Sequence, residues 1–121
     1  MTKDWIEKAI ANLEIVRASR HVYEDRDDGC IAPSLDILTK AEAFLLRVKE
    51  LAPTSIGVPP GICVSVWGHI VLEFRYKEYS LSVRVMSENI LGCGGLFGKE
   101  ATFKSKDEDE ILGYVLVTMC G

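Results

Sequence analysis

A chain of 121 residues with 48% apolar and 26% charged side chains predicts one globular domain, 1–121, large enough to bury a core without disulfide or metal staples. Its net charge is −4, with 14 basic residues dispersed among 18 acidic ones. That balance argues against nucleic-acid binding, which needs clustered cations to displace the counterions of phosphates.

Acidic residues interrupt the N-terminal Met-Thr-Lys-Asp-Trp-Ile-Glu at once, unlike a signal peptide. No apolar run approaches the roughly 20 residues of a membrane span. The expected location is therefore cytoplasmic, with no membrane partner. Cys30, Cys63, Cys93 and Cys120 are widely spaced, with no C-x-x-C pair. Free thiols are expected, not a zinc site.

In chain order, Trp5, Ile6, Ala9, Ile10, Leu13 and Val16 recur at helical steps and predict a helix over about 3–21. Residues 23–33 form a charged connector. Ser34 then caps a second helix over about 35–51, whose face is Ile37, Leu38, Ala41, Phe44, Leu45, Val48 and Leu51. Pro53 to Gly61 is rich in Pro and Gly and reads as a linker.

Beyond it the period changes to two, which predicts strands over about 62–67, 70–76 and 79–86. A Lys77-Glu78 turn pairs Tyr76 with Tyr79, Phe74 with Leu81, Leu72 with Val83 and Ile70 with Val85, all on one face. A loop of Trp67, Gly68 and His69 pairs Val66 with Ile70 and Val64 with Leu72. Residues 87–99, with four Gly and no clear period, read as a mobile loop. A short strand over 101–103 and a helix over about 106–119 complete the chain, with a strand as the alternative for the last segment. The capping-box spacing Ser105-Lys106-Asp107-Glu108 favours the helix. The fold class is α+β, with two N-terminal helices packed on a three- to four-stranded antiparallel meander and a short C-terminal helix.

Three short motifs, Asp28-Gly29, Ala32-Pro33-Ser34 and Gly68-His69-Ile70-Val71-Leu72-Glu73-Phe74, resemble those of a group of small bacterial proteins with no established activity. Phe103 to Met119 is similar in placement. Asp-Arg-Asp stands where that group carries a Trp. The resemblance implies this order of elements and adds no mechanism.

Gly92-Cys93-Gly94-Gly95-Leu96-Phe97-Gly98-Lys99 lacks the first Gly of a phosphate loop and the Ser or Thr after its Lys. The run Asp25, Asp27 and Asp28 puts Cys30 at the Gly position of a calcium loop and Asp36 at its final Glu position. No cofactor or metal site is expected. Cys93 would need an activating His or helix N-terminus, and Glu73 beside Arg75 and Arg84 reads first as a cross-strand ion pair.

The leading expectation is a non-enzymatic interaction module or accessory subunit that binds a protein partner or itself. A small enzyme using Cys93 or Glu73 and a carrier with a ligand between helices and sheet are the alternatives. The candidate interface is the outer face of the meander: Trp67, Val71, Glu73, Arg84 and Met86. Ser65, Val71 and Arg84 are expected in one row, and Cys63, Glu73 and Ser82 in the next. The competing possibility is that the C-terminal helix or the glycine loop covers this face.

Overall fold

The computed structural model describes residues 4–20, 31–51 and 60–119. Asp25, Asp27, Asp28, Cys30, most of the Pro53–Gly61 linker and Cys120 lie outside them, as do the side chains of Asp4, Trp5 and Met119. The architecture is α+β: helices α1 (Asp4–Ala18) and α2 (Leu35–Leu51), then five strands, then helix α3 (Glu108–Tyr114) running into a π-helical turn, Val115–Met119.

Ile6, Ala9 and Leu13 form the buried stripe of α1, and Ile37, Leu38, Ala41, Phe44, Leu45 and Val48 that of α2. Ser34 caps α2, its hydroxyl accepting from the Ile37 N–H at 3.1 Å. The two helices pack antiparallel, since Lys49 reaches Glu7 at 3.0 Å while Arg17 reaches Glu42 at 3.3 Å.

The sheet is an antiparallel meander in the order β1 (Gly61–Val64), β2 (Ile70–Tyr76), β3 (Tyr79–Val85), β4 (Ile90–Leu96) and β5 (Phe103–Ser105). The β2–β3 register matches the expected pairs, from Tyr76 with Tyr79 to Ile70 with Val85. Lys77 meets the turn's demand for a positive φ, at 55°.

The first hairpin differs from expectation. Strand β1 ends at Val64, which pairs with Ile70, and Ile62 pairs with Leu72. The cause is Ser65. Its backbone N–H donates to His69 O at 3.0 Å, and its hydroxyl accepts from the Trp67 and His69 N–H groups at 3.3 and 3.1 Å. Gly68 closes the turn at φ 79°. The loop is therefore Val66-Trp67-Gly68, and Val66 is exposed in it. The slip is two residues, so every side chain keeps its expected face.

The segment read as a mobile loop over 87–99 contains strand β4, paired along its length with β3 and again with β5. The strand expected over 101–103 is Phe103–Ser105. Gly92 and Gly94 point to the core side, where α3 and the chain after it lie close. A Cβ on Gly92 would meet Ile111 Cγ1 at 2.8 Å, and one on Gly94 would meet Tyr114 Cε1 at 3.0 Å. The glycines thus admit a helix. Helix α3 is capped by Asp107, whose side chain accepts from the Asp109 N–H at 2.9 Å, whereas Ser105 accepts from the Asp107 N–H at 3.0 Å. Arg47 of α2 binds Glu108 and Asp109, the latter at 2.9 Å, and both carboxylates hold its pKa above the usual value.

Ile6, Phe44, Leu45, Leu72, Phe74, Val83, Ile111 and Val115 belong to one buried cluster. All three helices therefore cover the same face of the sheet. Among the described residues, no helix is long and apolar enough to cross a membrane.

Candidate functional site

The other face of the sheet takes its side chains from alternate positions of the same strands. Register places Cys63, Val71, Arg84 and Leu91 in one row, and Gly61, Glu73, Ser82, Cys93 and Lys104 in the next. These rows replace the expected ones, because β1 is shifted by two residues and β4 was not foreseen. Val64, Ser65, Glu73, Arg84 and Cys93 help line a shallow concavity of about 530 Å3, floored by Cys63, Val71, Ser82 and Leu91.

Of the expected interface residues, Val71, Glu73 and Arg84 come together in this concavity. Trp67 stands beside it at the hairpin tip, 63% exposed, with the Arg84 guanidinium 5.9 Å from its ring centroid. His69 Nδ1 is 3.3 Å from Arg84 Nη1. Met86 is half-buried just past the end of β3 and outside the lining. At the opposite end, Arg75 lies over the ring of Phe97, 3.5 Å from its centroid, and Phe97 is 57% exposed. Leu91 and Phe97 were missed, and Cys93, expected only as a candidate nucleophile, was not placed on this face, because glycines masked the alternation of β4.

The expected ion pair between Glu73 and Arg75 or Arg84 does not form. Glu73 instead accepts a hydrogen bond from the Cys63 thiol at 3.3 Å, across the β1–β2 ladder. Burial pushes the Cys63 pKa up, and the hydrogen bond to Glu73 and its negative charge push it further. Cys63 is thereby held as a thiol, the less reactive form. Glu73→Gln removes the negative charge and leaves only a weaker, neutral acceptor for the thiol, so alkylation of Cys63 at mildly alkaline pH is expected to speed up. Mass spectrometry of the Cys63 peptide with time checks this, and an unchanged rate would deny the thiol–carboxylate contact.

Cys63 and Cys93 are free. They sit on β1 and β4, three strand spacings or about 14 Å apart, beyond the reach of a disulfide. No histidine lines the concavity. Among the described residues, no group of three or more His, Cys, Asp or Glu is placed to hold a metal ion. The space expected of a ligand carrier, between helices and sheet, is taken up by Phe44, Leu72, Phe74 and Val83, all buried, with the Phe44 and Phe74 rings edge to face at 6.3 Å.

The chain matches no protein-family model, no curated protein and no solved structure. The resemblance to a group of small bacterial proteins accordingly stays with the short motifs that carry it.

Proposed function

We propose that the chain is a one-domain protein-interaction module, an accessory subunit working in the bacterial cytoplasm, and that the outer face of its sheet is the docking surface. One observation carries this reading: among the described residues the helices pack on a single face, and the C-terminal helix, one of the two internal covers expected for the other, sits over Gly92 and Gly94 on the core side. An antiparallel sheet with one bare face normally covers it with alternating polar side chains. Here the rows hold Val71, Leu91, Cys63 and Cys93, edged by an exposed Trp and by arginines. Trp and Arg are the residues most enriched among those that dominate binding energy.

Val71→Asp tests it. The subunit's melting temperature should fall only modestly, because the half-buried side chain lies outside the core cluster. In an extract of the native host the wild-type chain should migrate in an assembly above its own 13.4 kDa, and the variant should fall to that mass. A wild-type chain that runs alone in the extract defeats the reading. So does a variant that unfolds the subunit, since the face would then be internal core.

A further inference from the structure

The outer face is the basic side of an acidic protein. Its strands direct Glu73, Arg75, Arg84 and Lys104 outward, one carboxylate against three cations, or +2 locally where the whole chain carries −4. The ion pairs among the described residues gather on the helical side instead, where Arg17, Lys40, Arg47 and Lys49 each meet a carboxylate.

Two of the outer cations are held by aromatic rings. Arg75 lies over Phe97 at one end of the concavity, and Arg84 lies near Trp67 and His69 at the other. The guanidinium of Arg75, stacked on Phe97, keeps its N–H edges free and loses less entropy when a carboxylate takes them, whereas Arg84 has one N–H group at His69 Nδ1. Arg75 pairs with Ser80, and Arg84 with Val71, so the two lie four residues apart along the strands, about 13 Å. Between them runs the row of Glu73, Ser82 and Cys93, while Val71 and Leu91 share the row of Arg84.

We infer that the outer face binds an acidic, extended polypeptide segment, with carboxylates on Arg75 and Arg84 and an uncharged side chain over Ser82 and Cys93. The inference rests on the interaction-module reading and names the chemistry of the partner. An extended chain places same-side residues at steps of about 6.6 Å, so carboxylates at i and i+4 match the two arginines and an uncharged residue i+2 meets the Ser82 and Cys93 row between them. A second copy of the chain fits less well, because like faces would oppose +2 to +2. Nucleic acid fits less well too, since Glu73 stands between the arginines where a phosphate chain would run.

The test uses the purified full chain and a labelled peptide containing Glu-Ser-Val-Ser-Glu, followed by fluorescence anisotropy at low salt. Binding is expected, and the peptide with Lys in place of Glu should not bind. Arg75→Ala and Arg84→Ala should each weaken binding about two- to fivefold, the range of an exposed ion pair. Glu73→Gln should tighten it by removing a repulsive charge, and its near-identical shape guards against a folding artefact. No binding of the acidic peptide, or equal binding of the Lys peptide, overturns the inference. Tighter binding of an oligothymidylate strand would assign the face to nucleic acid. Self-association that Glu73→Gln weakens would assign it to a second copy. A purified chain that ignores the acidic peptide while the host assembly still depends on Val71 would sink this inference and leave the interaction-module reading standing.

Discussion

Leu72→Ala is expected to cost about 2–5 kcal/mol, the range for emptying a fully buried leucine site. Leu72 has no exposed surface and sits in the middle of β2 between Ile62 and Val83. The helices press on the same point from above, through Phe44 and Leu45 of α2 and Val115 of the π-helical turn, all in the same cluster. Close-packed walls from a sheet and two helical segments cannot collapse into the void together, so the loss should fall in the upper part of that range. Urea unfolding followed by far-ultraviolet circular dichroism checks it. The midpoint should drop by about 1–3 M with the slope unchanged, given slopes of about 1–3 kcal/mol per M for small proteins. A loss under about 0.5 kcal/mol, typical of surface positions, would mean that the inward and outward faces of β2 have been exchanged.

That assignment of faces could be read directly from the chain. The alternation of Ile70, Leu72, Phe74 with Val71, Glu73, Arg75 fixes which side is buried, and the two-residue Lys77-Glu78 turn fixes the partner strand. Helix α2 was equally legible, because Ser34 supplies the cap and six apolar positions share one buried stripe; Leu51, expected on that face, is exposed at the helix end. The β1–β2 register was not, because it turns on one hydroxyl. Ser65 holds two N–H groups of the hairpin loop and so moves the turn back by one residue. Val66 leaves the ladder as a result, despite its strong strand propensity.

The fifth strand and half of the candidate site were hidden for a different reason. Strand β4 reads Ile90-Leu91-Gly92-Cys93-Gly94-Gly95-Leu96, and period-two patterning needs side chains to show it. Gly92 and Gly94 occupy the inward positions, where a large apolar residue would ordinarily mark the buried face. Their partner is a helix packed too close to leave room for one, which is a tertiary fact with no local signature. Leu91 and Cys93 were thus left without a visible counterpart, and the charge asymmetry of the outer face went unseen, since Lys104 joins that face only through β4. The helix that fills the glycine groove therefore does not lie on the outer face.

Gly92→Ala tests that arrangement and should destabilise the fold by about 1–3 kcal/mol, the cost of overpacking a filled core. The added Cβ would stand 2.8 Å from Ile111 Cγ1 and within 3.2 Å of two further Ile111 carbons. Ile111 is fully buried, so it cannot swing into solvent to relieve the clash. Either α3 lifts from β4 or the strand bends, and both separate Tyr114 from Phe103, whose rings stack at 4.3 Å. Gly113, two residues on in the same helix, supplies the control. A Cβ there meets nothing within 4 Å, and alanine in place of a helical glycine lowers the entropy cost of folding. Gly113→Ala should therefore stabilise by about 0.5–1 kcal/mol. Opposite signs at the two glycines, measured in the same urea titration, are the expected result. If Gly92→Ala is neutral, α3 does not lie over β4, and the helix becomes available to cover the outer face that the proposed docking surface requires to be bare.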